Sequence, residues 1–226
     1  MELKNPLYKN IGIHVILSLF TVDKGIVKVL LIKRKNEPHC GKWALIGGAL
    51  YNNEELITGM KREIDEKTGI KEDIDIHFSS VIDDIERSNL QRMIAITYIG
   101  IINIDRVKFL KDTLKTSDAN WFDIKEVPEL AYDHNKVLET NLRTLQEKIV
   151  ESNILKSLYP NGFTLPEIQK AYETILNKKF DRRNFRRKIL SFDFIKDTNE
   201  ERIFEGNKPA KLYKFDKKHK KNKTIF

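Results

Sequence analysis

Hydrophobic positions along the chain keep two rhythms, and the places where one gives way to the other delimit the elements. Ile11 to Val22 and Ile26 to Lys35 are β-branched apolar runs around Asp23-Lys24-Gly25, which predicts two strands joined by a hairpin turn. A loop follows over Asn36 to Lys42, marked by Pro38 and Gly41, and then a short strand over Trp43 to Leu50. The period then lengthens. Leu56, Ile57, Met60 and Ile64 recur at helical spacing, so one face is expected on a core and Glu63, Glu66 and Lys67 on another, with Gly69 as the stop. Strand character returns in Ile74 to Ile82 and Arg92 to Ile104, on either side of the polar loop Asp83 to Leu90, and again in Asn120 to Ile124. Asp133 is expected to cap a long amphipathic helix ending near Ser152, whose stripe carries Val137, Leu138, Asn141, Leu142, Leu145, Ile149 and Val150.

Past that helix the pattern changes. Thr164-Leu165-Pro166-Glu167 is a capping box with proline in the first turn, opening a helix through Leu176 with Ile168, Ala171, Tyr172 and Ile175 on its core face. After the break Asn177 to Phe180, Asp181 caps a second helix, Arg182 to Leu190, in which Phe185, Ile189 and Leu190 are expected to face inward and the guanidinium groups outward. Strand-like Phe192 to Lys196 and Lys211 to Phe215 follow. Two helices joined by a short turn, the second strongly basic, with a β-hairpin after them, predict a winged helix-turn-helix.

Charge divides at the same place. Residues 1–152 hold 22 Lys and Arg against 24 Asp and Glu, a net of −2, whereas 153–226 hold 19 against 9, a net of +10. A basic module on a near-neutral one is the footprint of nucleic-acid binding, because Lys and Arg at phosphates release condensed counterions. The stretch Lys217 to Lys223 can also be read as a solvated tail. Two domains are therefore expected: a near-neutral 1–152, and 153–226, a DNA-binding winged helix ending in a basic tail. Cys40 is the single cysteine, which excludes a disulfide framework within one chain and favours a cytoplasmic setting, and no stretch approaches the roughly 20 apolar residues of a membrane span. The histidines (His14, His39, His77, His134, His219) lack metal-ligand spacing and are read as structural or exposed, and there is no nucleophile elbow or P-loop.

The most specific signal lies at the first change of rhythm. From Gly48, five residues lead to Glu54 and seven more to Arg62-Glu63-Ile64, followed by Asp65, Glu66, Lys67, Thr68, Gly69 and Ile70. This resembles the Nudix box, G-x5-E-x7-R-E-U-x-E-E-x-G-U with U aliphatic, at every fixed position except Lys67, where the family has a carboxylate. The resemblance implies an α+β fold, a Nudix-type α/β/α sandwich with a mixed sheet, and metal-binding carboxylates at positions 63, 66 and 67. In the family those metals neutralise a diphosphate, polarise its bridge and help to activate water. A lysine cannot coordinate magnesium and competes for the remaining carboxylates. No catalytic residue and no cofactor or metal is therefore expected, with Glu63 and Glu66 vestigial ligands and Arg62 a brace between helix and loop. The alternative is an active hydrolase of ADP-ribose or a related nucleoside diphosphate, magnesium-dependent, with Glu55 or Asp83-Asp84-Ile85-Glu86 completing a rearranged site.

The basic segment Asp181 to Leu190, with Phe163-Thr164-Leu165 before it and Gly206 to Phe215 after it, resembles the carboxy-terminal domain of the Nudix-related transcriptional regulators. That family includes regulators of NAD metabolism and of sugar use, among them an arabinose-responsive branch in which a broken box is a known pattern. The resemblance implies a homodimeric repressor on a pseudo-palindromic double-stranded operator, with Asp133 to Ser152 as the mechanical link. Arg182, Arg183, Asn184, Arg186, Arg187 and Lys188 are expected to reach bases and phosphates, arginine suiting guanine and asparagine suiting adenine. Lys208 and Lys211 would lie on the wing, although the family usually has arginine before the proline. Nudix topology places a small-molecule effector, a sugar or an ADP-ribose-like compound, among Arg34, the loop Glu37 to Trp43 with His39, Glu63, Glu66, Arg92 and Asp133-His134. An RNA-binding Nudix protein is disfavoured, since the basic segment reads as a folded winged helix.

Overall fold

A computed structural model describes residues 11–88, 91–203 and 209–216. They fall into two compact units, the first built from 11–20, 28–88, 91–100 and 107–142 and the second from 21–27, 101–106, 143–203 and 209–216. The division falls inside the long helix, ten residues before the boundary drawn from charge.

The first unit is built on a sheet with strand order β3-β2-β1-β6-β5, to which β4 adds by pairing with β1 and β7 by pairing with β2. Its strands are β1 (Gly12–Asp23), β2 (Ile26–Arg34), β3 (Trp43–Ala44), β4 (Ile46–Ala49), β5 (Ile76–Ile82), β6 (Met93–Ile101) and β7 (Thr116–Asp123). Its helices are α1 (Leu56–Thr68) and the amino-terminal half of α2 (His134–Glu151). The single strand expected over Trp43 to Leu50 is two, because its halves serve different neighbours. Trp43 and Ala44 pair with Lys33 and Ile32, whereas Ile46 to Ala49 pair with Leu17 to His14. The strand expected over Asn120 to Ile124 begins earlier, at Thr116, in register with Arg34. Val15, Leu17, Leu19, Val29 and Leu31 are fully buried, as continuous apolar runs at the middle of a sheet should be. Asn141, on α2, is also fully buried and is satisfied by the Ser18 hydroxyl at 2.9 Å and the Tyr98 carbonyl at 3.1 Å.

Helix α1 corrects the sequence reading in one respect that matters for function. Met60 and Ile64 are buried as expected, but so are Glu63 and Lys67, while Ile57 is exposed. The buried face is the i, i+3, i+4, i+7 stripe Met60, Glu63, Ile64, Lys67, half of it charged. Gly69 ends the helix in the left-handed conformation, its N–H donating to the Asp65 carbonyl at 2.7 Å.

The second unit contains β8 (Phe163–Thr164), α3 (Leu165–Leu176), α4 (Arg182–Leu190), β9 (Ile195–Ile203) and β10 (Pro209–Phe215), the strands ordered β8-β10-β9. The capping box closes as the sequence specifies: the Thr164 N–H donates to the Glu167 carboxylate at 2.6 Å and the Glu167 N–H to the Thr164 hydroxyl at 3.4 Å. Ile168, Ala171, Tyr172 and Ile175 are all buried on α3. Asp181 caps α4 by accepting from the Asn184 N–H at 2.9 Å. Phe185 and Ile189 are buried; Leu190, expected inward, is exposed, because it is the last residue of the helix and turns past the hydrophobic face. The first wing strand runs over Ile195–Ile203 rather than starting at Phe192, whose ring stacks on Phe194 at 5.0 Å. Tyr213 and Phe215 pack on Phe163, at 6.4 and 4.8 Å between ring centroids, which is the structural role read for them.

Thr164→Ala removes the side-chain acceptor of the capping box. It is expected to destabilise the second unit by about 1 kcal/mol, measured by urea denaturation monitored at the winged helix.

Candidate functional site

In the first unit the residues of the box converge on a cleft with two lobes, of about 190 and 280 Å³, that share Arg34, Gly48, Ala49 and Lys67. His14, Arg87, Tyr132 and His134 line the smaller lobe, and Glu37, Tyr51, Glu63 and Lys115 the larger. Glycine is required at 48 because a Cβ there would collide with the Glu63 carboxylate, so the bare backbone lets the helix seat its charged face against β4.

That face is a network of paired charges. Lys67 Nζ lies 3.1 Å from Glu63 Oε2 and donates to the Gly47 carbonyl. Glu63 Oε1 accepts from Arg62. Burial opposes the charge on Glu63, but Lys67, Arg62 and Lys115 outweigh it and hold its pKa below the usual carboxylate range. Burial also lowers the Lys67 pKa, against the pull of Glu63. Glu66 accepts from Lys115 at 2.5 Å and from Arg62 at 3.3 Å. Arg62 braces helix to loop as expected: its guanidinium donates to Glu54 at 2.5 and 2.9 Å and to the Ala49 carbonyl at 2.9 Å, with its plane 3.9 Å from the Tyr51 ring. Those hydrogen bonds hold the Glu54 carboxyl down at about 2.

Two imidazoles face the smaller lobe. His134 Nδ1 accepts from the Leu45 N–H at 3.0 Å, which requires the proton on Nε2. Complete burial, reinforced by Lys67, Arg87 and Arg34, pushes its pKa down to about 3; burial, Arg87 and Lys67 push that of His14 to about 4. Both are therefore neutral, and the charge of the lobe belongs to Arg34, Lys67 and Arg87. Tyr132, at a left-handed φ of 55°, presents its ring between the Arg34 guanidinium at 5.0 Å and the His39 ring at 4.5 Å.

Of the residues expected at the effector, Arg34, Glu37, Glu63 and His134 line the cleft, and the others do not. His39 backs Tyr132; Trp43 packs on Phe122 at 4.7 Å. Glu66 is taken by Lys115, and Arg92 is turned to the Asp84 carbonyl at 2.8 Å. Asp133 stands at the start of α2 as expected, its carbonyl accepting from the Val137 N–H at 3.1 Å, but its carboxylate, expected at the ligand, accepts a two-pronged bond from Arg87 at 2.9 and 3.0 Å. Arg87, Lys115, Tyr132, Tyr51 and His14 were not foreseen. Tyr51 and Tyr132 adjoin expected residues, but His14, Arg87 and Lys115 arrive from positions remote from the box, and only the strand register that sets Thr116 beside Arg34 brings Lys115 to the site. No three His, Cys, Asp or Glu side chains among the described residues gather as metal ligands.

In the second unit α4 presents Arg182, Arg183, Asn184, Arg186, Arg187 and Lys188, all exposed. At 3.6 residues per turn Arg183 and Arg187 lie opposite the buried Phe185, at the crest of the helix. Arg182 and Arg186 face a concavity of about 670 Å³ bounded by α3, α4 and β10, to which Lys170, Lys179 and Lys211 add positive charge. Lys211 pairs with Asp197 at 2.9 Å, and Arg187 donates to the Asn184 side chain at 3.0 Å, so both cations are pre-oriented on the surface. Lys208 and the turn of the wing lie outside the described residues, as does the lysine-rich tail. Among the described residues no helix is long and apolar enough to cross a membrane.

Comparison with known proteins places this arrangement. The NUDIX domain family matches residues 13–141, and the NrtR DNA-binding winged helix domain matches residues 155–215. A protein of Acinetobacter baylyi described as the ADPR responsive transcriptional repressor NtrR is 31% identical over 204 residues, 88% of this chain and 80% of its own. The crystal structure of Shewanella oneidensis NrtR complexed with a 27mer DNA superposes with a TM-score of 0.77 at 27% identity, covering 90% of this chain and 93% of that one. The NUDIX domain of the same Shewanella protein complexed with ADP ribose aligns with 63% of this chain and 94% of its own, at 25% identity and a TM-score of 0.55. The chain belongs to the Nudix-related transcriptional regulators of the NrtR type, a Nudix domain with a mixed sheet followed by a DNA-binding winged helix.

The two neutral histidines set an acid limit. Their folded pKa values lie below the ordinary 6.5, so the unfolded chain takes up protons first as pH falls. The stability they contribute is complete above pH 6.5 and is lost as pH drops toward 4, by about 1 kcal/mol per pH unit for each group. His134→Gln, which keeps an acceptor without a titratable ring, is expected to flatten that slope in urea denaturation between pH 7 and pH 4.5.

Proposed function

We propose that this protein is a repressor that binds operator DNA as a homodimer and releases it on binding ADP-ribose or a closely related nucleoside diphosphate, which its Nudix unit holds without hydrolysing. The observation that carries this reading is the charge of the cleft. Arg34, Lys67, Arg87 and Lys115 all line it against the carboxylates Glu37 and Glu63; Asp133 and Glu66, which pair with Arg87 and Lys115, are not among its lining residues. An excess of cations in a recess suits a diphosphate, whereas a neutral pentose would gain little from it, so the arabinose-like reading gives way to an effector linked to NAD metabolism. The ADP ribose complex of the related Shewanella NUDIX domain and the description of the Acinetobacter relative support the same choice. The exposed arginines of α4 supply the DNA-binding half, and the crystal structure of the related Shewanella NrtR complexed with a 27mer DNA supports that assignment.

For an effector to lift repression it must bind one arrangement of the two winged helices better than the other, and α2, which contributes residues to both units, is the element that can carry that preference. The hydrolase alternative requires a carboxylate cluster for magnesium, and the buried Glu63–Lys67 pair argues against it.

Fluorescence anisotropy on DNA from the protein's own promoter tests the proposal. ADP-ribose is expected to release the DNA and L-arabinose to leave it bound; release by the pentose alone would refute the effector assignment. Replacing both Arg183 and Arg186 by alanine is expected to weaken DNA binding by about a hundredfold, and to lower the salt slope by about 2, with the thermal transition unchanged. Unchanged binding by that variant would refute the interface.

A further inference from the structure

The metal implied by the Nudix resemblance does not fit the residues present. Magnesium asks for near-octahedral oxygen ligands at about 2.1 Å. Here each of the two retained carboxylates is already engaged by protein cations. Arg62 donates to Oε1 of Glu63, the Lys67 ammonium stands 3.1 Å from Oε2 as an ion pair although that buried oxygen accepts no hydrogen bond, and Lys115 and Arg62 converge on Oε2 of Glu66. A dication placed among them would meet Lys67 at the position where the family supplies a third carboxylate, with Lys115 beside it. These two ammonium groups also line the larger lobe of the cleft, together with Arg34. The Lys67 ammonium is anchored there by both Glu63 and the Gly47 carbonyl, and its side chain is 9% exposed.

We infer that Lys67 and Lys115 replace the divalent metal as the positive partners of the effector's diphosphate, so that effector capture in this protein is metal-independent. This rests on the reading of the cleft as a diphosphate-sugar site and specifies its chemistry. An ammonium group supplies charge and hydrogen bonds to a phosphoryl oxygen, but unlike a bound metal it does not convert a coordinated water into a nucleophile. The substitution therefore retains the binding half of the ancestral chemistry and removes the hydrolytic half. Lys115 is as much a part of this as Lys67, since it neutralises Glu66, which would otherwise remain an anion beside the diphosphate and a ligand open to a metal.

Two measurements on the full chain test the inference separately from the identity of the effector. In the first, Mn²⁺ alone is titrated against the apo protein and followed by electron paramagnetic resonance. The wild type is expected to leave the free Mn²⁺ signal undiminished at micromolar metal, and Lys67→Glu to bind it. Tight binding by the wild type at a site lost in Glu63→Gln would overturn the inference. In the second, ADP-ribose affinity is measured by calorimetry in EDTA and in millimolar magnesium. The expected affinities agree within about twofold. Lys67→Gln, measured well below the lowered thermal transition that stranding Glu63 gives it, and Lys115→Gln, whose transition is unchanged, each weaken binding by about tenfold or more. Binding that appears only with magnesium, or that is indifferent to both substitutions, would overturn it. Failure of ADP-ribose to bind in either buffer would instead refute the effector assignment, and the Mn²⁺ titration would still decide the fate of the metal site.

Discussion

The contact on which the Nudix unit depends is the ion pair between Glu63 and Lys67, one turn apart on α1 and both buried. Two charges removed from water are costly unless every partner is in place, and removing one of them from such a pair typically costs about 3–5 kcal/mol because the other is stranded. The surroundings are arranged to prevent that. Gly48 has no side chain to keep the carboxylate away, Gly47 offers its carbonyl to the ammonium, and Arg62 closes on Glu63 while bridging to Glu54 and the Ala49 carbonyl. The seating of α1 on β4, the course of the loop before it and the floor of the cleft thus follow from one pair of opposite charges. In a hydrolase of this fold the corresponding carboxylates would be left for metal; here they are spent on the protein's own cations.

This changes how the departure from the box is understood. Lys67 is not a solvent-facing substitution that spoils an otherwise intact site, because its ammonium group is a structural member of the helix–strand contact and a wall of the cleft at once. The position of Lys115, which pairs with Glu66 from the bend just before β7, gives the same arrangement a second member from a distant part of the chain. On the function proposed above, a cleft with fixed internal positive charge holds a diphosphate through ammonium groups, which do not activate water as a bound metal would. The separation of charge along the chain serves the other half of the function. The near-neutral sensing segment leaves the excess of +10 concentrated in residues 153–226, where it meets phosphates.

Much of the architecture was legible in the chain because it is written in local rules. The capping box at Thr164 to Glu167, the Asp181 cap, the change of period at Leu56 and the glycine that ends α1 each depend on a few neighbouring residues, and each appears in the structure. What local rules could not give was the orientation of α1 and the membership of the cleft. Weighing residues by hydrophobicity puts Ile57 inside and Glu63 and Lys67 outside; the helix instead buries the stripe that carries its paired charges, because Arg62 and Lys67 neutralise Glu63 there. The Arg87–Asp133 clasp joins residues 46 apart, and Lys115 and Glu66 are 49 apart, so neither could be read before the strand register was known. Tyr132 enters the cleft through a left-handed backbone turn for which a tyrosine gives no signal.

The central claim is that this cleft holds its effector without cleaving it. ³¹P nuclear magnetic resonance of ADP-ribose mixed with an equimolar amount of the full-length chain in millimolar magnesium reads this directly. The account predicts that the diphosphate resonances shift on binding and persist undiminished over a day. Their replacement by the monophosphate resonances of AMP and ribose phosphate would contradict it.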